Sequence, residues 1–284
     1  FGWPGIYFGR FIDFLNFKNS QIHNGDALEF LSKVDDNSVD LIIIDPPYKL
    51  EMPKKDIFDY EGSLLSKNKM KRVKEKWDEF TLDEYIDWSE KWLLESKRIL
   101  CDTGSMFVFG SYHNIGLINY ICQKTKFMII NDICWYKRNA VPNLACRRLT
   151  ASYESILWLA KNKKYTFNYR TLKDSQFPND KLKKPNKQMR NVWDIPTAGK
   201  ESVGHPTQKP VEVYKRCILT AINTEKDNPT ILDFFAGSGT CAIAADELGY
   251  NSVLVEKDES YFTIIEKRLS EKNVSFSKLD DIYI

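Results

Sequence analysis

The stretch from Thr230 to Glu256, TILDFFAGSGTCAIAADELGYNSVLVE, constrains the fold more than any other part of the chain. A short apolar run ends in Asp233, a glycine turn follows, and an alanine-rich helical run leads past Gly249 to a second apolar run ending in Glu256. Such short apolar runs read as strands buried on both faces, and two of them joined through a helix make a parallel βαβ unit. Gly237, Gly239 and Ala242 fit G-x-G-x-x-A, in which the glycines permit a tight turn and close ligand approach at the helix start. Glu256 follows about 20 residues on, where a carboxylate takes both hydroxyls of a ribose. The pattern implies an adenosine-containing ligand, against the plainer reading of a tight turn with an incidental acid after it.

A second stretch, VDLIIIDPPYKL from Val39 to Leu50, runs four apolar residues straight into an acid, two prolines and a tyrosine. The apolar run reads as an inner strand, and Pro46 and Pro47 must end it because proline donates no ladder hydrogen bond. Asp45 to Tyr48 therefore belong at the carboxyl end of a strand. In open α/β sheets that edge is where ligands bind.

The remaining chain alternates in the same way. SQIHNGDALEFLSKV predicts a strand, a turn at Asn24 and Gly25, and a helix from near Asp26. Thr81-Leu-Asp-Glu84 is a capping box opening a helix that reaches about Leu100. SMFVFG, HNIGLINYICQKT and MIINDICWYK read as strand, helix and strand, and YESILWLA and KYTFNYR as two further strands, antiparallel near one sheet edge. Lys49 to Lys76 reads as a long basic loop, and the pattern dissolves again from Asp174 to Lys200. HPTQKPVEVYKRCILTAIN is a turn leading into a helix. The expected architecture is α/β, a doubly wound and mostly parallel sheet covered on both faces.

The 41 Lys and Arg against 39 Asp and Glu leave a net charge of only +2, so overall charge does not single out a nucleic-acid partner. The six cysteines, at 101, 122, 134, 146, 217 and 241, form no C-x-x-C pair, which points to reduced thiols rather than a zinc site or a disulfide framework. No metal site is expected. No apolar run approaches the roughly 20 residues of a membrane span, and the aromatic opening FGWPGIYFGRFIDFLNF lacks the form of a signal peptide. A cytoplasmic protein without membrane attachment is expected.

The identity of the adenosine ligand turns on the chemistry around it. A nicotinamide enzyme needs an acid–base group, yet His23, His113 and His205 are the only histidines and none has an evident carboxylate partner. S-Adenosyl-L-methionine needs the same ribose clamp and no pyrophosphate site. Asp233 would then face its methionine amino group, and Phe234 and Phe235 would shield it, unless they are core.

The pairing of DPPY with FAGSGT resembles the signature of DNA amino-methyltransferases, and DPPY standing first resembles their β group. The likeness runs through GDALEFL, IIIDPPY, VGHPTQKP and LDFFAGSGT. With YESILWLAKNKKYTF it looks most like the RsrI-type and DpnA-type adenine enzymes of restriction-modification systems. The resemblance implies a Rossmann-like, S-adenosylmethionine-dependent methyltransferase fold, circularly permuted, with an inserted target-recognition region. It divides the chain into an aromatic extension (1–20), a catalytic half (21–160), a target-recognition region (161–200) and a cofactor-binding half (201–284). It also implies a homodimer acting on double-stranded DNA, with a cognate restriction endonuclease working separately.

On this reading the Asp45 carboxylate and the Pro46 carbonyl accept the two hydrogens of an adenine amino group, Pro47 fixes the turn, and Tyr48 stacks on the flipped base. Asp26 and Ala27 would lie at the adenine end of the cofactor. Thr207 and Lys209 would meet its carboxylate, and Gly237, Ser238, Gly239 and Thr240 would form the turn beneath it. The family often has Asn after the tyrosine, where Lys49 stands here. Lys161 to Asn191 holds ten Lys or Arg against Asp174 and Asp180, a composition suited to phosphates. Arg138, Arg147, Arg148, Lys183, Lys184 and Arg190 are the candidate DNA contacts, with Arg147, Arg148 and Arg190 placed to read guanine edges. The rivals are an N4-cytosine methyltransferase on the same fold, which Asp45 in place of serine disfavours, and an idle DNA-binding regulator that keeps the cofactor pocket. A dehydrogenase is the last alternative.

Overall fold

The computed structural model describes residues 20–47, 81–143, 146–199 and 208–279. The aromatic opening, Tyr48, the basic loop after it, His205 and Thr207 lie outside the described residues. Among the described residues nine strands form one sheet, β1 (Ser20–Asn24), β2 (Val39–Ile44), β3 (Leu100–Gly110), β4 (Met128–Tyr136), β5 (Tyr153–Ala160), β6 (Val192–Asp194), β7 (Thr230–Asp233), β8 (Asn251–Glu256) and β9 (Phe276–Lys278). Their order is β6-β4-β5-β3-β2-β7-β8-β1-β9. Every pairing is parallel except the two made by β5, which runs against β3 and β4.

Residue alternation along β2 divides the core. Ile42 and Ile44 face α1 (Ala27–Ser32), α2 (Leu82–Ile99) and α3 (Ile115–Lys124), where Phe30, Leu31, Trp92, Leu93, Ile118 and Ile121 are buried. Leu41 and Ile43 face the opposite layer of α5 (Val211–Ala221) and α6 (Thr240–Glu247), with α7 (Glu259–Glu271) closing the β8 side. Each such aliphatic side chain contributes about 1.5–3 kcal/mol on burial, which is why β2 reads as a continuous apolar run. Its one polar interruption, Asp40, is buried but accepts from the Thr230 amide at 2.8 Å and pairs with Lys226 at 2.8 Å.

The helix boundaries follow their capping residues. Asp26 caps α1 by accepting from Leu28 and Glu29 amides at 2.9 and 3.3 Å, and Thr81 and Glu84 form the expected reciprocal box at the start of α2. Gly249, at φ +79°, follows α6 where its sequence placed a stop.

One expectation needs correction. KYTFNYR is not a strand, since residues 165–168 are irregular and Tyr169 opens the short helix α4 (Tyr169–Asp174). The alternation of Tyr165 and Phe167 arises because both rings pack on Trp158, while the backbone around them bonds Thr103 and Thr220. YESILWLA is an antiparallel strand near one sheet edge, as expected, third from it, with β4 and β6 continuing the sheet beyond it. The short strands β6 and β9 carry too few residues for a period to be read.

β7 and β2 are neighbours, pairing Leu41 with Ile231 and Ile42 with Leu232. From β7 the chain proceeds through α6 to β8 on one side, and from β2 through α2 to β3 on the other. The crevice between their carboxyl ends is therefore the topological switch point of the sheet.

Candidate active site

One wall of the crevice is built from backbone. Gly237 and Gly239 take φ of +52° and +73°, and a Cβ on Gly239 would meet Ile265 at 3.1 Å. The Glu256 carboxylate accepts from the Gly237 amide at 2.8 Å and the Asp258 amide at 2.9 Å, which ties the end of β8 to the turn. Burial raises the Glu256 carboxyl above its usual range, against the pull of those amides. Arg268 of α7, nearly fully buried, donates to the Ser238 carbonyl at 2.9 Å and the Thr240 hydroxyl at 2.9 Å, bracing the turn from behind. Asp26 lies at the same edge, where β1 pairs with β8, and its second oxygen meets Lys257 at 2.9 Å. Burial works against that carboxylate, but Lys257 and the two capping amides outweigh it and lower its pKa.

Asp233 is fully buried at the end of β7. Its Oδ1 accepts from the Phe235 amide at 3.1 Å, while Oδ2 has no partner in hydrogen-bonding geometry. Burial pushes this carboxyl well above the ordinary carboxylate range. Phe234 is core, packed on Trp92, whereas Phe235 is half-buried between Trp88 and Trp92, with ring centroids at 5.4 and 6.1 Å. Ala27 is buried in the core beside α1.

The other wall is built from side chains. Asp45 follows β2 and is paired with the Lys209 ammonium, which also meets Glu154 of β5 at 3.4 Å. Glu154 in turn binds Lys137, just past β4, at 2.9 Å. Lys209 is 4% exposed and its ammonium stands 5.6 Å from the Phe109 ring centre. Burial acts against its charge, yet Asp45 and Glu154 prevail and raise its pKa. Burial likewise opposes the Glu154 charge, and Lys209 and Lys137 overcome it, lowering that carboxyl. Lys209, expected at the methionine carboxylate, is thus engaged with two protein carboxylates.

The proline turn has its own anchor. Tyr85 of α2 donates its hydroxyl to the Pro47 carbonyl at 3.1 Å and accepts from the Asn114 side-chain amide at 3.1 Å. Burial raises the Tyr85 phenol above its usual range, which keeps it a donor. Tyr85, Asn114, Glu154, Lys137 and Arg268 were not foreseen. For Tyr85 a signal existed, since it falls on the buried side of a helix whose start was legible.

The candidate DNA contacts separate. Arg147 and Arg148 are exposed on the loop between β4 and β5, at the crevice edge, and Arg148 donates to the Tyr112 hydroxyl at 2.7 Å. Arg138 is at the same edge but is occupied, donating to the Asp194 carboxylate and carbonyl at 2.7 Å each and to the Asn179 carbonyl. Lys183 donates to the Lys173 and Lys184 carbonyls at 3.0 and 2.9 Å, and Lys184 and Arg190 are exposed. The front of that basic run lies at the opposite edge of the sheet. There Lys161 donates to the Arg98 and Leu100 carbonyls at 3.3 and 2.6 Å, and Lys164 meets Asp102 at 3.3 Å.

The family model for DNA methylases matches residues 39–267, a span that holds both walls of the crevice. The chain belongs to the DNA methylase family. Among relatives, this DNA methylase is 39% identical over 272 residues to the type II methyltransferase M.HinfI of Haemophilus influenzae, covering 91% of this chain and 69% of that protein. It is 34% identical over 262 residues to the type II methyltransferase M2.MboI of Moraxella bovis, covering 89% of each. Among solved structures, a crystal structure of an M1.HpyAVI–SAM complex superposes with a TM-score of 0.61 at 25% identity, covering 88% of this methylase and 98% of that chain. The PvuII DNA methyltransferase, a cytosine-N4-specific enzyme, shares the fold with a TM-score of 0.65 at 16% identity and coverage of 90% and 89%. No helix among the described residues is long and apolar enough to cross a membrane, and no group of His, Cys, Asp and Glu among them is suited to a metal.

Proposed function

We propose that this methylase transfers the methyl group of S-adenosyl-L-methionine to the N6 amino group of an adenine flipped out of double-stranded DNA, as the modification enzyme of a restriction-modification system. The observation that carries the proposal is the placement of Asp45-Pro46-Pro47 beside Asp233 and the glycine turn, across one crevice at the switch point of the sheet. The residues of the backbone wall suit the cofactor. Glu256 would take the ribose hydroxyls and Asp26 with Ala27 the adenine end. The buried Asp233 carboxylate would receive an ammonium, and Phe235 would cover the cofactor above Gly237, Ser238, Gly239 and Thr240. When bound, the cofactor supplies an electrophilic methyl group on a sulfonium centre. Thr207, three residues before Pro210 in the sequence, would meet its carboxylate.

Asp45 and the Pro46 carbonyl accept the two amino hydrogens of adenine, drawing the nitrogen lone pair out of conjugation with the ring. Tyr85 holds the turn that presents both acceptors. The amino nitrogen carries its positive charge only as the new bond forms; Asp45 would then take the proton that the nitrogen sheds and pass it on to water. Tyr48 stacks on the flipped base. Orientation and electrostatics of this kind supply the rate, with Asp45 in the role that a base occupies elsewhere. Arg147 and Arg148 at the crevice edge, with Lys184 and Arg190, contact DNA. A cytoplasmic homodimer, with the cognate endonuclease acting separately, fits the likeness to type II methyltransferases.

The test is incubation with the cofactor and mixed-sequence duplex DNA, digestion to nucleosides and mass spectrometry. N6-methyladenine is expected. N4-methylcytosine would move the assignment to the other base, and no methylated nucleoside would overturn the enzymatic reading.

A further inference from the structure

Glu154 is an odd residue for its place. It follows the first residue of β5, in a run where Ile156, Leu157, Leu159 and Ala160 are all fully buried, and its own side chain is only 17% exposed. A carboxylate so enclosed is costly unless opposite charges hold it, and among the described residues Lys137 at 2.9 Å and Lys209 at 3.4 Å do so. Lys209 is the shared member, since it also pairs with Asp45. The result is a chain of alternating charge, Asp45, Lys209, Glu154 and Lys137, running from the end of β2 to the end of β4.

We propose that Glu154 is a positioning residue for methyl transfer, dividing the Lys209 ammonium between two carboxylates and so setting how strongly Asp45 accepts the hydrogens of the target amino group. The inference rests on the role proposed for Asp45. An ammonium given wholly to Asp45 would compete with the amino hydrogens for its oxygens, and loss of the ammonium would remove this counter-charge from a carboxylate that is mostly buried. Glu154 holds the balance between these states from the amino end of β5, across Lys209 from Asp45 and away from the glycine turn. β5 is the one reversed strand among those described, so its amino end, not its carboxyl end, reaches the crevice. Several groups among the described residues face the pair. Phe109 of β3 lies beside Lys209, and Tyr85, Tyr214 of α5 and Asp233 of β7 are within electrostatic reach of Asp45. Of these, only Asp233 carries charge when ionised at neutral pH, and burial disfavours that state.

Opposite substitutions test the idea, because they move the Lys209 charge in opposite directions. Glu154→Gln releases Lys209 to Asp45, so kcat is expected to fall by about 10-fold or more, and the acid limb of the kcat–pH profile to shift to lower pH. Lys209→Met removes the counter-charge and is expected to shift that limb to higher pH. Cofactor affinity of Glu154→Gln, read by calorimetry, is expected to match the wild type. Glu154→Asp keeps the charge on a shorter arm and is expected to recover most of kcat. It also serves as the folded reference if the glutamine variant is unstable, and there the limb should move in the same direction by less. Limbs that stay in place, or a cofactor affinity that falls in step with kcat, would overturn the inference while leaving methylation intact. A wild type that methylates no base would overturn the reading beneath it instead.

Discussion

The two walls of the crevice are made in different ways. The glycine turn between β7 and α6 is local in sequence and held largely by backbone, with Glu256 drawn onto the Gly237 amide and Arg268 bracing the Ser238 carbonyl. The opposing wall draws Asp45, Lys137, Glu154 and Lys209 from four separate segments and joins them through side-chain charge. A wall of backbone tolerates changes of side chain and fails when its dihedrals are denied. A wall of charge tolerates changes of shape and fails when its balance is altered.

The largest effect expected from breaking this contrast is at Gly239. Valine there must adopt a φ near +73° and press its Cβ on Ile265 at 3.1 Å. A left-handed backbone alone costs an L-residue about 1–2 kcal/mol, and β-branching and contact add to it. Gly239→Val is expected to lower the unfolding midpoint in chemical denaturation and to abolish cofactor binding; a variant that binds normally would show that the turn is not the cofactor wall. A smaller effect is expected at Tyr85→Phe, which leaves the Pro47 carbonyl and the Asn114 amide without their shared partner. Losing that pair of bonds costs about 1–3 kcal/mol, and it should appear as a loss of kcat at unchanged cofactor affinity. Loss of cofactor affinity instead would mean that the two walls are not separable.

Much of the fold was legible because each strand and helix of the βαβ units carries its own period and its own stop. Asp26, Thr81 and Gly249 fall at helix ends, and Pro46 at the end of β2, where their chemistry requires them. Tyr165 and Phe167 misled because alternation over four residues is shared by a strand and by two rings straddling one tryptophan. The glycine turn was legible for the same local reason. The charge wall was not, because Glu154 in YESILWLA has the spacing of any half-exposed strand residue. Only the reversed direction of β5 brings it to Lys209.

The basic run from Lys161 to Asn191 shows the same limit. Its charge density is plain in the sequence, but its members go to different ends of the sheet, Lys161 to the Arg98 and Leu100 carbonyls and Lys183 to the Lys173 carbonyl. Its acid Asp180 is buried against Arg216, whose guanidinium lies 4.3 Å from the Phe177 ring centre and 5.2 Å from that of Trp193. Part of a run that composition alone reads as a DNA contact is bound into the protein's own packing.

The most direct test of the central claim is Asp45→Ala, measured for cofactor binding by calorimetry and for methyl transfer to duplex DNA in the same preparation. Cofactor affinity close to wild type, with transfer reduced roughly 10²–10⁴-fold, is the expected result. Transfer at the wild-type rate would contradict the role of Asp45, and loss of cofactor binding along with transfer would contradict the division of the crevice into two walls.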